Sequence, residues 1–162
     1  MTKRVLFVCM GNICRSPAAE AALVKLVQST GADVQVDSAG TIGIHAGERP
    51  DSRMRAAGEA RGLQFNTRAR QVAAKDLQPG AFDLVIAMDH ENLRDLKRLA
   101  AADYSHVLLM SEFLGSDWPR EVPDPYYGGP QGFETVLDMV EAACPAILTR
   151  LSTNLPDNRA VL

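Results

Sequence analysis

The segment Val5-Leu6-Phe7-Val8-Cys9-Met10-Gly11-Asn12-Ile13-Cys14-Arg15-Ser16-Pro17 decides the architecture. Its first four residues are an apolar run of β-branched and aromatic side chains, which reads as a buried strand. From Ser16-Pro17 onward, Ala19, Leu23, Leu26 and Val27 recur at helical spacing, and Pro17 is expected at the first helical position, where its missing N–H costs nothing. The loop between them joins the carboxyl end of a strand to the amino end of a helix. That junction collects unpaired N–H groups and the positive end of the helix dipole, so it is suited to an anion. Gly11 and Asn12 are residue types that tolerate left-handed backbone angles, which the loop needs if successive N–H groups are to converge on one centre. Within the same stretch Cys9 offers a thiol nucleophile and Arg15 a planar guanidinium, and the amides with Arg15 favour the thiolate.

Outward from this stretch the chain alternates strand and helix. Residues 34–38 read as a second strand, 51–61 as a helix closed by Gly62, and 83–88 as a third strand. Residues 91–100 read as a helix, 107–110 as a fourth strand and 132–151 as a closing helix. Phe133, Val136, Leu137, Val140, Cys144, Ile147, Leu148 and Leu151 line one face of the last helix. Pro145 inside it is predicted to kink or interrupt it near Glu141. Such alternation predicts an α/β fold, a parallel sheet with helices on both faces, whose ligands bind beyond the carboxyl ends of the strands where strand order reverses. The expected organisation is one domain over residues 1–151 and a polar tail, 152–162, that frays.

Composition sets outer bounds. A chain of 162 residues suits one domain with a sizeable core. Its 46% hydrophobic and 23% charged residues are ordinary for a soluble globular protein. No apolar run reaches membrane-spanning length and the amino terminus enters a strand without a cleavable leader, so neither a membrane nor secretion is expected. Three cysteines without paired spacing point to a reducing cytoplasm and away from a disulfide framework or a zinc site. A formal net charge of −3 argues against nucleic acid as a partner, but says little about a phosphate pocket, which is a local field.

The pattern Cys-x5-Arg-Ser, here CMGNICRSP, resembles the low-molecular-weight protein tyrosine phosphatases. Three further segments resemble that family in the same order: Asp37-Ser38-Ala39-Gly40-Thr41, Ala69-Arg70-Gln71 and Asp124-Pro125-Tyr126-Tyr127-Gly128. Together they span roughly residues 4 to 151. The resemblance implies a single-domain, three-layer fold with a four-stranded parallel sheet in the order 2-1-3-4. It implies Cys9 as nucleophile, forming a cysteinyl-phosphate, and Arg15 as a bidentate phosphate ligand. Asp124 is implied as the acid that protonates the leaving phenolate and then activates water. The loop residues Met10, Gly11, Asn12, Ile13, Cys14 and Ser16 would bind phosphate through backbone amides, with Ser38 supporting Asn12. Tyr126 and Tyr127 would wall the cleft, with Ile13 and Ile44 adding apolar surface. No metal or other cofactor is called for, since the amides and Arg15 neutralise the phosphate. Implied partners are phosphotyrosine-containing proteins and a tyrosine kinase, acting on a monomer in the cytoplasm.

One departure stands out. In relatives an imidazole often occupies the position three residues ahead of Arg70, where this chain has Thr67; the hydroxyl or a water is expected to substitute. Other residues keep two readings. Cys14 is either core or a reversible disulfide partner for Cys9. Trp118 either touches substrate or caps the core. Cys144 reads as core, His45, His90 and His106 as surface or capping residues, and the charged run Arg53 to Arg61 as a solvated helix face. Three other functions fit the same scaffold. A protein-arginine phosphatase is disfavoured by apolar Ile13, and a non-catalytic phosphotyrosine-binding module by the joint presence of Cys9, Arg15 and Asp124. Thiol-dependent arsenate reduction is disfavoured because no cysteine lies between Cys14 and Cys144.

Overall fold

The computed structural model describes residues 1–100 and 103–153. Its centre is a parallel sheet of four strands, β1 (Lys3–Cys9), β2 (Val34–Gly40), β3 (Leu84–Ala87) and β4 (Val107–Leu109), arranged β2-β1-β3-β4. This is the order implied by the resemblance. The helices are α1 (Arg15–Thr30), α2 (Ser52–Glu59), α3 (His90–Ala100) and α4 (Pro130–Thr153), with short 3-10 turns at Ala74–Leu77 and Met110–Phe113.

Strand β1 explains the layering. Val5, Phe7 and Cys9 face one core with Ala18, Ala19 and Leu23 of α1, Met54 of α2 and the apolar stripe of α4. Leu6 and Val8 face a second core with Leu77, Phe82 and Leu96. Both faces are covered, so Val5 to Cys9 are all buried and the strand reads as a continuous apolar run without alternation. Cys9 pairs with Gly40 of β2, while Val8 pairs with Ala87 of β3. The nucleophile candidate thus sits at the carboxyl edge where the strand order reverses.

Several expectations are corrected. Helix α1 opens at Arg15, with Cys14 at the N-cap, so Pro17 is its third residue. Its missing N–H is still harmless there, because N–H groups of the first turn have no intrahelical acceptor. Helix α4 begins at Pro130 and continues unbroken through Pro145 to Thr153. Pro145 lies on the exposed face, where water can reach the carbonyl one turn back, and packing of Phe133, Val136, Val140 and Ile147 into the core holds the helix on both sides. Ser152 and Thr153, predicted to fray, belong to this helix; the rest of the predicted tail, 154–162, lies outside the described residues. The run from Arg53 to Arg61 is not merely solvated either. Arg61 bridges Glu134, Asp138 and Glu141 of α4 at 2.6, 3.0 and 2.6 Å, and Arg53 lies over the Phe133 ring, 4.8 Å from its centroid.

Candidate active site

Beyond β1 the chain closes a loop around the Cys9 sulfur. The Asn12 N–H donates to Sγ over 3.3 Å, and the Ser16 hydroxyl lies 3.0 Å from it. Asn12 takes a left-handed φ of 58°, a conformation its side chain tolerates better than most. Gly11, expected to share that conformation, does not have a positive φ. Its lack of a side chain matters for space, since a Cβ there would come within 3.1 Å of His45 Cδ2. Helix α1 then starts without a side-chain cap, and its first backbone bond runs from Ala18 N–H to Cys14 O. The N–H groups ahead of that bond remain for an anion.

Gly40, facing Cys9 across the sheet, packs closely against the loop. A Cβ at this position would lie 2.6 Å from the Met10 carbonyl oxygen and 3.1 Å from the Asn12 nitrogen. Backbone cannot yield as a flexible side chain can, so Gly40→Ala is expected to displace the loop and lower kcat/KM by roughly 100-fold. Steady-state kinetics on a variant whose melting shows it folded would check this; wild-type kinetics would mean that the loop shifts without consequence.

The segments singled out in the sequence converge here. Asn12 Nδ2 donates to Ser16 Oγ at 2.8 Å and Ser38 Oγ at 3.0 Å, while its Oδ1 accepts the Arg70 N–H at 3.0 Å. Gly40 N–H donates to Arg70 O, and Val72 N–H to Gly40 O. The Arg70 guanidinium bridges Asp37 and Asp76, each at 3.0 Å. The hydrogen bond expected between Asn12 and Ser38 is present. Thr67 joins the network through a residue that sequence reasoning missed, Glu20: the Ser38 and Thr67 hydroxyls both donate to Glu20 Oε1, at 2.6 and 3.0 Å. Burial pushes the Glu20 carboxyl above its ordinary range, despite these two bonds. The signal was available as spacing, because Glu20 lies one helical turn after Ser16 on the face that carries Leu23.

Arg15 is buried, and two acceptors fix its guanidinium. Nη1 donates to Asp89 Oδ2 at 2.6 Å and to the Val122 carbonyl at 3.1 Å. Desolvation works against its charge, but the Cys9 sulfur and Asp89 outweigh that cost and raise its pKa. Among the described residues Nε and Nη2 donate no hydrogen bond, which leaves one edge of the fork for a ligand. Asp89 was not anticipated, since an aspartate after a strand reads as a helix cap, and it is one as well: it accepts the Asn92 N–H at 2.8 Å. Asp124 stands 3.8 Å from Arg15 Nη2, half exposed, with Oδ1 accepting the Tyr126 N–H. The Val122 N–H bond to Met88 O ties this acid-bearing loop to the end of β3.

The cleft above the loop encloses about 230 Å3. Ile13, Cys14, Ile44, His45, Asp124, Tyr126 and Tyr127 are among the residues that line it. Tyr126 and Tyr127 meet edge-to-face with centroids 5.0 Å apart, and Tyr127 is 93% exposed. His45, expected as a surface or capping residue, is part of the cleft lining and also pairs with Glu48 at 3.2 Å. Trp118 packs against the core and is absent from the residues lining the cleft. Cys9, Cys14 and Cys144 are free thiols. Burial pushes the Cys14 thiol pKa upward, with Asp51 adding to it, and burial raises that of Cys144 to about 12. Both therefore differ in character from a nucleophilic cysteine. No helix among the described residues is long and apolar enough to cross a membrane.

Residues 4–157 match the family model for low molecular weight phosphotyrosine protein phosphatase. A low molecular weight protein-tyrosine-phosphatase of Streptomyces coelicolor is 45% identical over 156 residues, spanning 91% of this chain and 93% of its own length. A protein tyrosine phosphatase of Entamoeba histolytica, solved with Hepes in the active site, superposes with a TM-score of 0.89 at 40% identity, covering 94% of this chain and 99% of that one. A Drosophila arginine phosphatase, DARP, superposes with a TM-score of 0.82 at 34% identity, covering 90% and 96% respectively. The loop at Cys9, the order of the segments that converge on it and these likenesses agree, and the chain belongs to the low molecular weight phosphotyrosine protein phosphatase family.

Proposed function

We propose that this chain hydrolyses phosphotyrosine in proteins, and aryl phosphates generally, through a cysteinyl-phosphate on Cys9. The observation that carries the reading is one sulfur held at the centre of a loop, with a buried guanidinium beside it and a carboxylate across the opening. The Cys9 thiolate attacks phosphorus while the bond from phosphorus to the phenolic oxygen breaks, and Asp124, as the acid, passes its proton to that oxygen. Asp124, now a carboxylate, takes a proton from water as the water attacks phosphorus and the S–P bond breaks, releasing inorganic phosphate. Arg15 receives two equatorial oxygens on Nε and Nη2, a planar contact that strengthens in the transition state. Backbone amides from Met10 to Ser16, through Gly11, Asn12, Ile13 and Cys14, complete the cradle. Ile13, Ile44, Tyr126 and Tyr127 hold the phenyl ring.

The partners in this reading are tyrosine-phosphorylated proteins and the kinase that makes them, met by a monomer in the cytoplasm whose phosphatase domain spans residues 1–151. Oxidation joining Cys9 to Cys14 would silence it reversibly. A phosphoguanidinium substrate is the second reading, favoured by the likeness to the Drosophila enzyme and opposed by apolar Ile13 in the cleft wall. Hydrolysis of matched phosphotyrosine and phosphoarginine peptides, with EDTA present, separates them. A kcat/KM at least tenfold higher for phosphotyrosine is expected. A preference for phosphoarginine would replace the first reading with the second, and tight phosphate binding without turnover would leave only a binding module.

A further inference from the structure

We propose that Glu121 is a positioning residue for this reaction: its carboxylate clips the segment that carries Asp124 to the amino end of α3, and so fixes where the acid stands. The inference rests on the reading of Asp124 as the acid and deepens it by naming a residue that holds that acid in place.

Asp124 has few bonds of its own. It is half exposed, its Oδ1 accepts the N–H of Tyr126 two residues on, and its Oδ2 lies 3.8 Å from Arg15 Nη2, beyond hydrogen-bond distance. The bond to Tyr126 moves with the segment, so the fastenings on either side decide where the carboxylate sits. Downstream, the Tyr126 carbonyl accepts from Arg53 Nη2 at 3.2 Å. Upstream, Val122 N–H donates to Met88 O at 2.9 Å and Val122 O accepts from Arg15 Nη1 at 3.1 Å. Next to Val122, Glu121 Oε2 accepts the His90 backbone N–H at 2.7 Å and lies equally near His90 Nδ1. Pro123 and Pro125 restrict the backbone around Asp124, so a displacement at Glu121 passes along the segment with little local give.

His90 is the first residue of α3, and its N–H has no acceptor within the helix. A carboxylate there gains from the helix dipole as well as from a charge-assisted bond. The Glu121 carboxyl is accordingly held below its ordinary range, first by the His90 N–H and then by the His90 ring, with Arg15 contributing. Helix α3 also has a cap of its own, since Asp89 accepts the Asn92 N–H at 2.8 Å. What Glu121 adds is therefore a tie between segments 31 positions apart. The same corner carries Asp89, which holds Arg15 at 2.6 Å. Acid and arginine are thus referred to one frame.

The test compares Glu121→Ala, Glu121→Gln, His90→Pro and the double variant Glu121→Ala with His90→Pro in the full chain, with Asp124→Ala and Glu91→Gln as controls. His90→Pro deletes both donors at a helix position that accepts proline. The readout is kcat across aryl phosphates of rising leaving-group pKa, with inhibition by inorganic phosphate alongside. Glu121→Ala is expected to slow phenyl phosphate by roughly 10-fold, as a small misplacement of a reacting group does. Substrates with strongly acidic leaving phenols, which need the proton least, lose less than about twofold, and inhibition by phosphate stays within about twofold. His90→Pro gives the same pattern, and the double variant costs little more than either. Glu121→Gln, which keeps an acceptor oxygen, recovers part of the loss. Glu91→Gln, which removes an exposed charge from the same helical turn, stays within about twofold at every leaving group. Melting curves identify folded variants, and Glu121→Gln with His90→Pro carries the test if Glu121→Ala does not fold. Wild-type rates in a folded Glu121→Ala or His90→Pro variant, equal losses at every leaving group, no recovery with glutamine, or strictly additive losses would each overturn the proposal. If Asp124→Ala shows no dependence on the leaving group, the acid reading fails instead; if it shows that dependence while Glu121→Ala behaves as wild type, only the present inference fails.

Discussion

Replacing Cys9 by serine is expected to lower turnover of p-nitrophenyl phosphate by on the order of 10^4-fold or more, while affinity for inorganic phosphate stays within a few-fold of wild type. The two halves of this expectation come from different parts of the site. Phosphate is held by backbone amides and by Arg15, whose guanidinium is fixed by Asp89 and the Val122 carbonyl, and none of these groups is altered by exchanging sulfur for oxygen. Attack on phosphorus needs the thiolate itself. A serine hydroxyl at the same point has no base poised to take its proton, since Ser16 is a hydroxyl and Asn12 presents an N–H. Product inhibition or calorimetry with phosphate, alongside kcat, separates the halves. Turnover close to wild type would remove Cys9 as nucleophile, and loss of phosphate affinity in parallel with kcat would mean that the sulfur holds the loop together and the two functions cannot be parted.

Replacing Asp124 by alanine is expected to slow phenyl phosphate by roughly 10^2- to 10^4-fold, and substrates with strongly acidic leaving phenols far less. The proton matters most when the departing oxygen is most basic, so the effect should grow with leaving-group pKa. The carboxylate is well placed for this. It is half exposed at the mouth of the cleft, 3.8 Å from Arg15 Nη2, and anchored through the Tyr126 N–H, so that Oδ2 remains to face the substrate. A series of aryl phosphates measures the slope directly. A uniform loss across the series would assign Asp124 to holding Arg15 or the loop and take the acid role away from it.

How much of this was legible in the chain depends on the range of the interaction that decides each feature. The strand, loop and helix from Val5 to Thr30 are local: apolar continuity, a backbone-permissive Asn12 and an N–H-rich helix start all lie within one stretch, and the structure differs by starting α1 two residues before Pro17 and by giving a positive φ to Asn12 and not to Gly11. Pro145 does not interrupt the helix, because one missing hydrogen bond is outweighed by the apolar stripe of α4, which docks into the core on both sides of it. Arg61 was read as solvated because its three carboxylate partners lie more than 70 positions further on, on another helix.

The site divides along the same line. Cys9, Arg15 and the loop amides could be read from spacing, because one turn of backbone brings them together and an anion there needs no distant partner. Asp124 was readable only through resemblance, since nothing local distinguishes an aspartate between two prolines from a turn. Asp89 and Glu20 escaped notice because their chemistry exists only once the sheet is assembled. The parallel order β2-β1-β3-β4 carries Asp89 from the end of β3 to Arg15 and Ser38 from β2 to Glu20 of α1. Local preference and covalent spacing are written along the chain and set the candidate nucleophile and the loop around it. Burial and the pairing of charges across strands belong to the fold, and they decide which carboxylates hold the arginine and the loop.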